Sequence, residues 1–203
     1  MAFPNLVIDY HRLDTKFFAG HVQHTTFHSD ASQGRRRVKE VKNWYRKREI
    51  GRGSFGTVFL EGSEGGEFRA VKEIAKDKGS RIKIDYRREL MAMAILGKVR
   101  DGETARTVDF PLPWLTRLQH DLFVQLFGWY ENDDYVHIAM EYLSHGHLRN
   151  YLEVERSETE AKVITRQLLE GLVVIHEEGF AHRDLKPEVR PATSPAALVQ
   201  MPN

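Results

Sequence analysis

Apolar positions are sparse and unpatterned over residues 1–43 and become periodic only from Trp44 onward. Residues 1–43 are therefore expected to form an N-terminal extension, largely disordered or draped over the domain that follows. Trp44 to Arg52 and Gly56 to Glu61 read as strands, and Gly62, Gly65 and Gly66 mark the turn into a third strand from Phe68 to Ile74. Ser80 can cap a helix from Arg81 to Leu96, along which Ile82, Tyr86, Met93 and Leu96 recur at helical spacing. A fourth strand ends near Tyr130, and Asn132-Asp133-Asp134 turns the chain into a fifth from Tyr135 to Glu141. The clearest helix begins at the capping box formed by Ser157 and Glu160. Val163, Ile164, Leu168, Leu172 and Ile175 line its apolar face, and Gly179 stops it.

One residue interrupts this pattern in a way that carries chemistry. Glu89 lies on the apolar stripe between Tyr86 and Met93, and a carboxylate facing a core is costly unless a cation meets it there. Lys72, on the third strand, is the nearest candidate.

Composition narrows the classes. The 203 residues can bury one core, and 30 Lys plus Arg against 29 Asp plus Glu leave a net charge of +1, so neither nucleic acid nor an anionic membrane is expected as a partner. Cysteine is absent, which excludes disulfides and thiolate-bound zinc and suits an intracellular protein, in cytoplasm or nucleus. Asp9, Arg12 and Asp14 stand where a secretory leader needs an apolar run, and no stretch is long and apolar enough to span a bilayer. His21, His24 and His28 have metal-like spacing without a supporting carboxylate cluster and read as solvated histidines. Arg35-Arg36-Arg37 reads as a solvated basic run.

The candidate chemistry lies in two motifs. The first is Ile50-Gly51-Arg52-Gly53-Ser54-Phe55-Gly56-Thr57-Val58, followed by Ala70-Val71-Lys72. Glycines at its second, fourth and seventh residues let a backbone approach phosphates without a Cβ in the way, and the lysine supplies counter-charge. A dinucleotide-binding loop shares the glycine spacing but opens a helix, whereas Thr57-Val58-Phe59-Leu60 continues as a strand. The second motif is Ala181-His182-Arg183-Asp184-Leu185-Lys186-Pro187-Glu188, at the end of the capped helix.

Together the two motifs resemble the glycine-rich loop, strand-three lysine and catalytic loop of protein kinases. The implied fold is α+β, with an antiparallel five-stranded small lobe carrying one helix, joined to an incomplete helical large lobe. Residues 44–188 correspond to the partial kinase domain, with small lobe and hinge over 44–143, the start of the large lobe over 144–188, and a non-kinase tail over 189–203. The resemblance implies ATP as cofactor, lying under Ile50, Gly51, Gly53, Ser54 and Gly56, with Val58 and Ala70 on the adenine face. Lys72, paired with Glu89, would hold the α- and β-phosphates. Met140 would gate the back pocket, and the Glu141 carbonyl and Leu143 amide would bond the adenine. Asp184 would orient the hydroxyl of a protein substrate and Lys186 would offset charge on the γ-phosphate; a lysine there is similar to Ser/Thr kinases. The wording around Glu89 and the hinge is similar to calcium/calmodulin-dependent and checkpoint-type kinases. Arg183 implies control by a phosphorylated activation loop.

The resemblance breaks in three places. His147 stands where many kinases have an acidic residue for the ribose or a basic substrate side chain. Val189 takes the place of the asparagine that would hold magnesium, and no Asp-Phe-Gly follows; Asp109-Phe110-Pro111 precedes the catalytic loop and ends in proline. Magnesium is thus implied by the family while its protein ligands are absent, so the chain reads as a truncated Ser/Thr kinase with little or no phosphoryl transfer. The alternative readings are a non-catalytic fragment that binds nucleotide or a partner, and a chain that does not fold. Residues 99–119 are also foreign to the pattern, since joining Lys98 to His120 restores an ordinary connection. Both foreign segments open with Val-Arg, at Val99-Arg100 and Val189-Arg190, which GTN-AGR can encode. The first ends Leu115-Thr116-Arg117-Leu118-Gln119, compatible with a branch sequence and a terminal CAG. Translation of two introns is the expectation that accounts for both; because every valine codon begins with GT, the mature transcript decides it, and spliced messages that retain both segments refute it.

Overall fold

The structure, a computed structural model, describes residues 3–30, 35–53, 56–76, 86–96, 122–144, 146, 148–183 and 185–186. In order these form α1 (Phe3–Tyr10), β1 (Asp14–Phe17), β2 (His21–Asp30), β3 (Arg35–Gly53), β4 (Gly56–Ser63), β5 (Phe68–Ala75), α2 (Tyr86–Leu96), β6 (Leu126–Glu131), β7 (Tyr135–Glu141), α3 (Leu148–Tyr151) and α4 (Glu158–Glu177). All strands pair antiparallel in one seven-stranded sheet of order β1-β2-β3-β4-β5-β7-β6.

The N-terminal expectation is corrected here. The described residues of this segment are neither disordered nor merely draped on the domain: they supply α1, two additional strands and the first part of β3, so the sheet has seven strands rather than five. The chain just before β1 also reaches the opposite edge of the sheet. Trp129 donates its amide to the His11 carbonyl (2.9 Å), and the Leu13 amide returns to the Trp129 carbonyl (2.8 Å), making a parallel bridge between Arg12 and Trp129. Gly128 permits this approach: its φ is +136°, and a Cβ there would sit 2.7 Å from the His11 carbonyl oxygen. This bridge curls the two edges of the sheet toward one another and pairs the β6 edge at Trp129.

The interior of the roll is polar as well as apolar, which is why hydropathy did not mark its strands. Val71, Tyr130 and Ala139 pack there with Leu13, Val22 and Phe127. Among them Arg69 donates to Glu61 through Nε (2.9 Å) and a terminal nitrogen (2.7 Å), and its guanidinium lies 4.2 Å over the Trp44 ring. Arg69 and Glu61 side chains are 2% and 4% exposed, so the pair holds only because each satisfies the other. Tyr130 stacks on His137 with centroids 4.7 Å apart, and His24 meets the Tyr130 ring edge at 4.8 Å. His24 is therefore a buried residue, not the solvated histidine expected of it, while His21 stacks between Phe18 and Tyr45.

The other face of the sheet carries the helices. Ile74, Leu126, Trp129, Val136 and Ile138 form a core with Ile8 of α1 and Leu90 and Ala94 of α2. Farther along α2, Leu96 packs with Val174 and Ile175 of α4, and Phe123 and Phe180 close that cluster. The capping box of α4 forms as expected, with the Glu160 amide on Ser157 Oγ (3.2 Å) and the Ser157 amide on the Glu160 carboxylate (3.0 Å). Its buried face differs from the expected stripe. Ile164, Gly171, Val174 and Ile175 turn inward, while Leu168 is exposed, because Gly171 gives Phe123 room to approach. The expected Ser80 cap, the segment 99–119 and the tail 189–203 lie outside the described residues.

Burial makes stability depend on pH. Desolvation, then the charges of Arg69 and His137, lowers the His24 pKa from 6.5 to about 3, and desolvation lowers that of His11 to about 4. The unfolded chain therefore binds more protons below pH 6.5, and stability present above that pH is lost as pH falls through 6.5 toward 4 and 3. The unfolding free energy is expected to drop between pH 7 and pH 5, by up to about 1.4 kcal/mol per pH unit for each histidine and with it the denaturant midpoint, and His24→Gln to flatten the slope. A midpoint independent of pH over that range overturns the assignment.

Candidate functional site

The glycine loop is the hairpin between β3 and β4, in which Gly53 pairs with Gly56 across the tip and Gly51 with Val58. Ser54 lies outside the described residues. The three glycines have different physical reasons. Gly56 has φ +133°, and a Cβ would stand 2.2 Å from the Glu73 carbonyl oxygen, so the packing of β4 on β5 requires glycine there. Gly51 and Gly53 meet no such wall: the nearest atom to a Cβ on Gly51 is Val58 Cβ at 3.9 Å, and Gly53 has nothing within 4 Å. Their missing side chains leave open space that the fold itself does not need. Ile50 is the half-buried extra residue of a bulge, between the Glu49–Phe59 and Gly51–Val58 pairs.

Strand register gathers the next residues. Val58 pairs with Lys72 and Lys72 with Ile138, while Ala70 pairs with Met140 and Met140 with Leu126. Directly paired residues share a face, and alternation along β5 puts Ala70 on the same side as Lys72. Val58, Ala70, Lys72 and Met140 thus line the face that carries α2, and Met140 packs against its core. From that face Lys72 Nζ donates to both carboxylate oxygens of Glu89, at 2.6 and 2.8 Å. Their side chains are 19% and 31% exposed, which leaves the ammonium partly open to a second anion.

β7 ends at Glu141, and the chain continues through Tyr142 and Leu143 in irregular backbone. Gln125 fixes that exit: it accepts the Glu141 amide (2.9 Å) and donates its own amide to the Glu141 carboxylate (3.3 Å). No sequence pattern marks Gln125, since its partner lies on a distant strand. Leu143 is half-buried, and its carbonyl accepts the Gly146 amide at 3.3 Å. His147 lies outside the described residues.

After α4, Gly179 turns left-handed (φ +76°) and Phe180 returns into the cluster with Leu96. The loop residues His182, Arg183, Leu185 and Lys186 are exposed. Arg183 has φ +59°, the one positive value for a described non-glycine residue and a conformation that costs about 1–2 kcal/mol. Such an outlier beside a motif residue is where function is expected to hold strain. Asp184 lies outside the described residues, so Lys186 is placed without it. The small-lobe residues are brought together; the relation of the catalytic pair is not described. Among the described residues no group of carboxylates or histidines is arranged to hold a metal ion.

Comparison with known proteins agrees with this geometry. The family pattern for the protein kinase domain matches residues 44–189. Mitogen-activated protein kinase kinase kinase 3 of Arabidopsis thaliana is 29% identical over 153 residues, covering 74% of this chain and 24% of that protein. Serine/threonine-protein kinase SSK22 of Saccharomyces cerevisiae is 35% identical over 153 residues, covering 71% and 10%. Calcium/calmodulin-dependent protein kinase type 1 of Caenorhabditis elegans is 34% identical over 143 residues, covering 68% and 35%. The chain therefore spans from about a tenth to about a third of the length of these relatives.

The contrast among the glycines is measurable. Gly56→Ala is expected to destabilise by about 2–4 kcal/mol in denaturant titrations, from the backbone overlap and the positive φ. Gly53→Ala is expected to stay within about 0.5 kcal/mol of the parent. Equal losses at both positions refute the distinction.

Proposed function

The chain belongs to the protein kinase family, and from that premise we propose that it binds ATP beneath the β3–β4 hairpin, in a Ser/Thr kinase domain over 44–188 interrupted at 99–119. The observation that carries this reading is the Lys72–Glu89 pair, at 2.6 and 2.8 Å, on the sheet face shared by Val58, Ala70 and Met140. Glu89 holds the ammonium extended along that face, where Lys72 meets the α- and β-phosphates under the open space at Gly51 and Gly53. Ser54 is assigned to the phosphates, Ile50 and Val58 close on one side of the adenine, and Ala70 lies on its face. Met140 limits depth, and the Glu141 carbonyl and Leu143 amide bond the adenine edge, with Gln125 keeping Glu141 in place.

The family's reaction is transfer of the γ-phosphoryl of ATP to a protein, here to Ser or Thr, with ATP and magnesium used by the family in general. In this reading Asp184 orients the substrate hydroxyl and Lys186 offsets γ-phosphate charge. Val189 cannot supply the oxygen that the family's asparagine gives to magnesium, and the described donor set does not fit that ion, so no metal-dependent step is assigned. The chain is accordingly a nucleotide binder with little or no transfer of its own. No helix among the described residues is long and apolar enough to cross a membrane. Cytoplasm or nucleus is the proposed location, supported by the absence of cysteine.

ATP at 100 times its dissociation constant is expected to stabilise the chain by about 2.7 kcal/mol, read as a shift in thermal midpoint. Lys72→Met removes most of that shift. Labelled ATP is expected to give no incorporation into a mixed Ser/Thr peptide library. Absence of any nucleotide shift in the parent overturns ATP binding, and turnover by this chain overturns the non-catalytic assignment.

A further inference from the structure

α2 is an 11-residue helix that carries the half-buried Glu89 and is too short to persist alone, so its position is set by what it packs against. On the sheet side that packing includes a residue far away in sequence. Ile8 of α1 is 7% exposed and shares its core cluster with Leu90 and Ala94 of α2, and Leu90 follows Glu89 directly. The end of α1 is in turn pinned to the sheet. The Trp129 indole donates to the Ile8 carbonyl at 2.7 Å within the core, the His11 amide donates to the same carbonyl at 3.1 Å, and the Arg12–Trp129 bridge follows. The Arg12 guanidinium covers the Trp129 ring at 5.1 Å and reaches Glu131 at 2.8 Å.

We infer that α1 is an intramolecular brace for the nucleotide site: Ile8, held by Trp129, is a positioning residue that acts through Leu90 and Ala94 to keep Glu89 on Lys72. In that cluster α1 meets the sheet at Trp129 and its neighbours and α2 at Leu90 and Ala94, so it bridges the two. Its apolar residues Val7 and Ile8 both enter the cluster that contains α2, and the last-turn carbonyl is taken by the same tryptophan that lines it. Burial on the sheet side and the Leu96–Val174–Ile175 cluster on the other give α2 two separate anchors. Releasing the first leaves the helix able to pivot about the second, which lengthens the Lys72–Glu89 contact. The brace rests on the reading of that pair as a nucleotide-binding element, so its test needs one arm independent of nucleotide.

Because the chain has no cysteine, Arg88→Cys on α2 and Phe68→Cys at the far end of β5 give a unique spin-label pair in the full chain. Ile8→Ala is expected to broaden and shift the distance distribution between them. Val22→Ala, in the cluster on the opposite sheet face, lowers the thermal midpoint without moving that distance. In the nucleotide arm, Ile8→Ala weakens binding of a fluorescent ATP analogue by about fivefold, a loss that disappears in the Glu89→Gln background because the effect runs through that carboxylate. If Ile8→Ala does not fold, Ile8→Val gives a smaller change of the same sign. An unchanged distance distribution overturns the brace, as does an equal affinity loss with and without Glu89. If the parent binds no analogue, the ATP reading fails while the distance arm still decides the brace.

Discussion

The bond between Lys72 and Glu89 is the constraint on which the rest of this structure turns. It is one ion pair, partly open to solvent, and in isolation such a pair contributes little. Its importance is positional. The lysine belongs to the middle of a sheet and the glutamate to a short helix that the sheet carries, so the two meet only while sheet register and helix docking are both correct. The register is over-determined, because β5 pairs with β4 over residues 68–73 and with β7 over residues 69–75, and Lys72 has a partner on each side. The helix is the less constrained partner, and its packing at Leu90, Ala94 and Leu96 decides whether the carboxylate reaches the ammonium.

The rolled sheet explains how the first partner stays rigid. The bridge from Trp129 of β6 to the segment before β1 ties the two edges together, and the interior is held by groups that specify a single arrangement rather than by oil-like packing. Arg69 pairs with the Glu61 carboxylate and lies over the Trp44 ring, with Tyr130 farther off. A register slip of one residue would turn that guanidinium out of the roll and leave Glu61 buried without a cation, a loss of several kcal/mol. Tyr130 and His137 stack in the same space, so the strand that carries Lys72 on one face is locked by polar contacts on the other.

This polarity also explains what could be read from sequence and what could not. The glycine loop, Lys72, Glu89 and the His182-to-Pro187 motif were legible because their chemistry demands residue types at fixed spacing, and the ion pair followed from one carboxylate out of place on an apolar stripe. The strands of residues 14–30 were not legible. Their inward positions include His24, facing Tyr130, and a period-two pattern cannot register as hydrophobic when the interior itself is built of His, Tyr, Arg and Glu. Nor could sequence separate the glycines: only Gly56 is enforced by backbone, and the freedom at Gly51 and Gly53 becomes visible once the neighbouring atoms are placed. The face of α4 was largely legible, since Val163, Ile164 and Ile175 pack inward as their spacing requires; only Leu168 turns out, because Leu168, Leu169, Leu172 and Val173 make the apolar surface wide and the close approach of Phe123 to Gly171 selects one orientation.

That selected orientation ties the two halves of the candidate site together. The capping box fixes where α4 starts, and Val174 and Ile175 then fall on Leu96 of the helix that carries Glu89. Phe180 enters the same cluster two residues before His182, immediately upstream of the strained Arg183. A packed cluster resists gradual deformation, so displacement of Phe180 must be taken up by Leu96 or by loss of the contact. The entry to the catalytic loop and the position of Glu89 are therefore not independent variables. The small lobe fixes the lysine, α1 and α4 fix the helix from opposite ends, and the loop that bears Lys186 hangs from the second of those anchors.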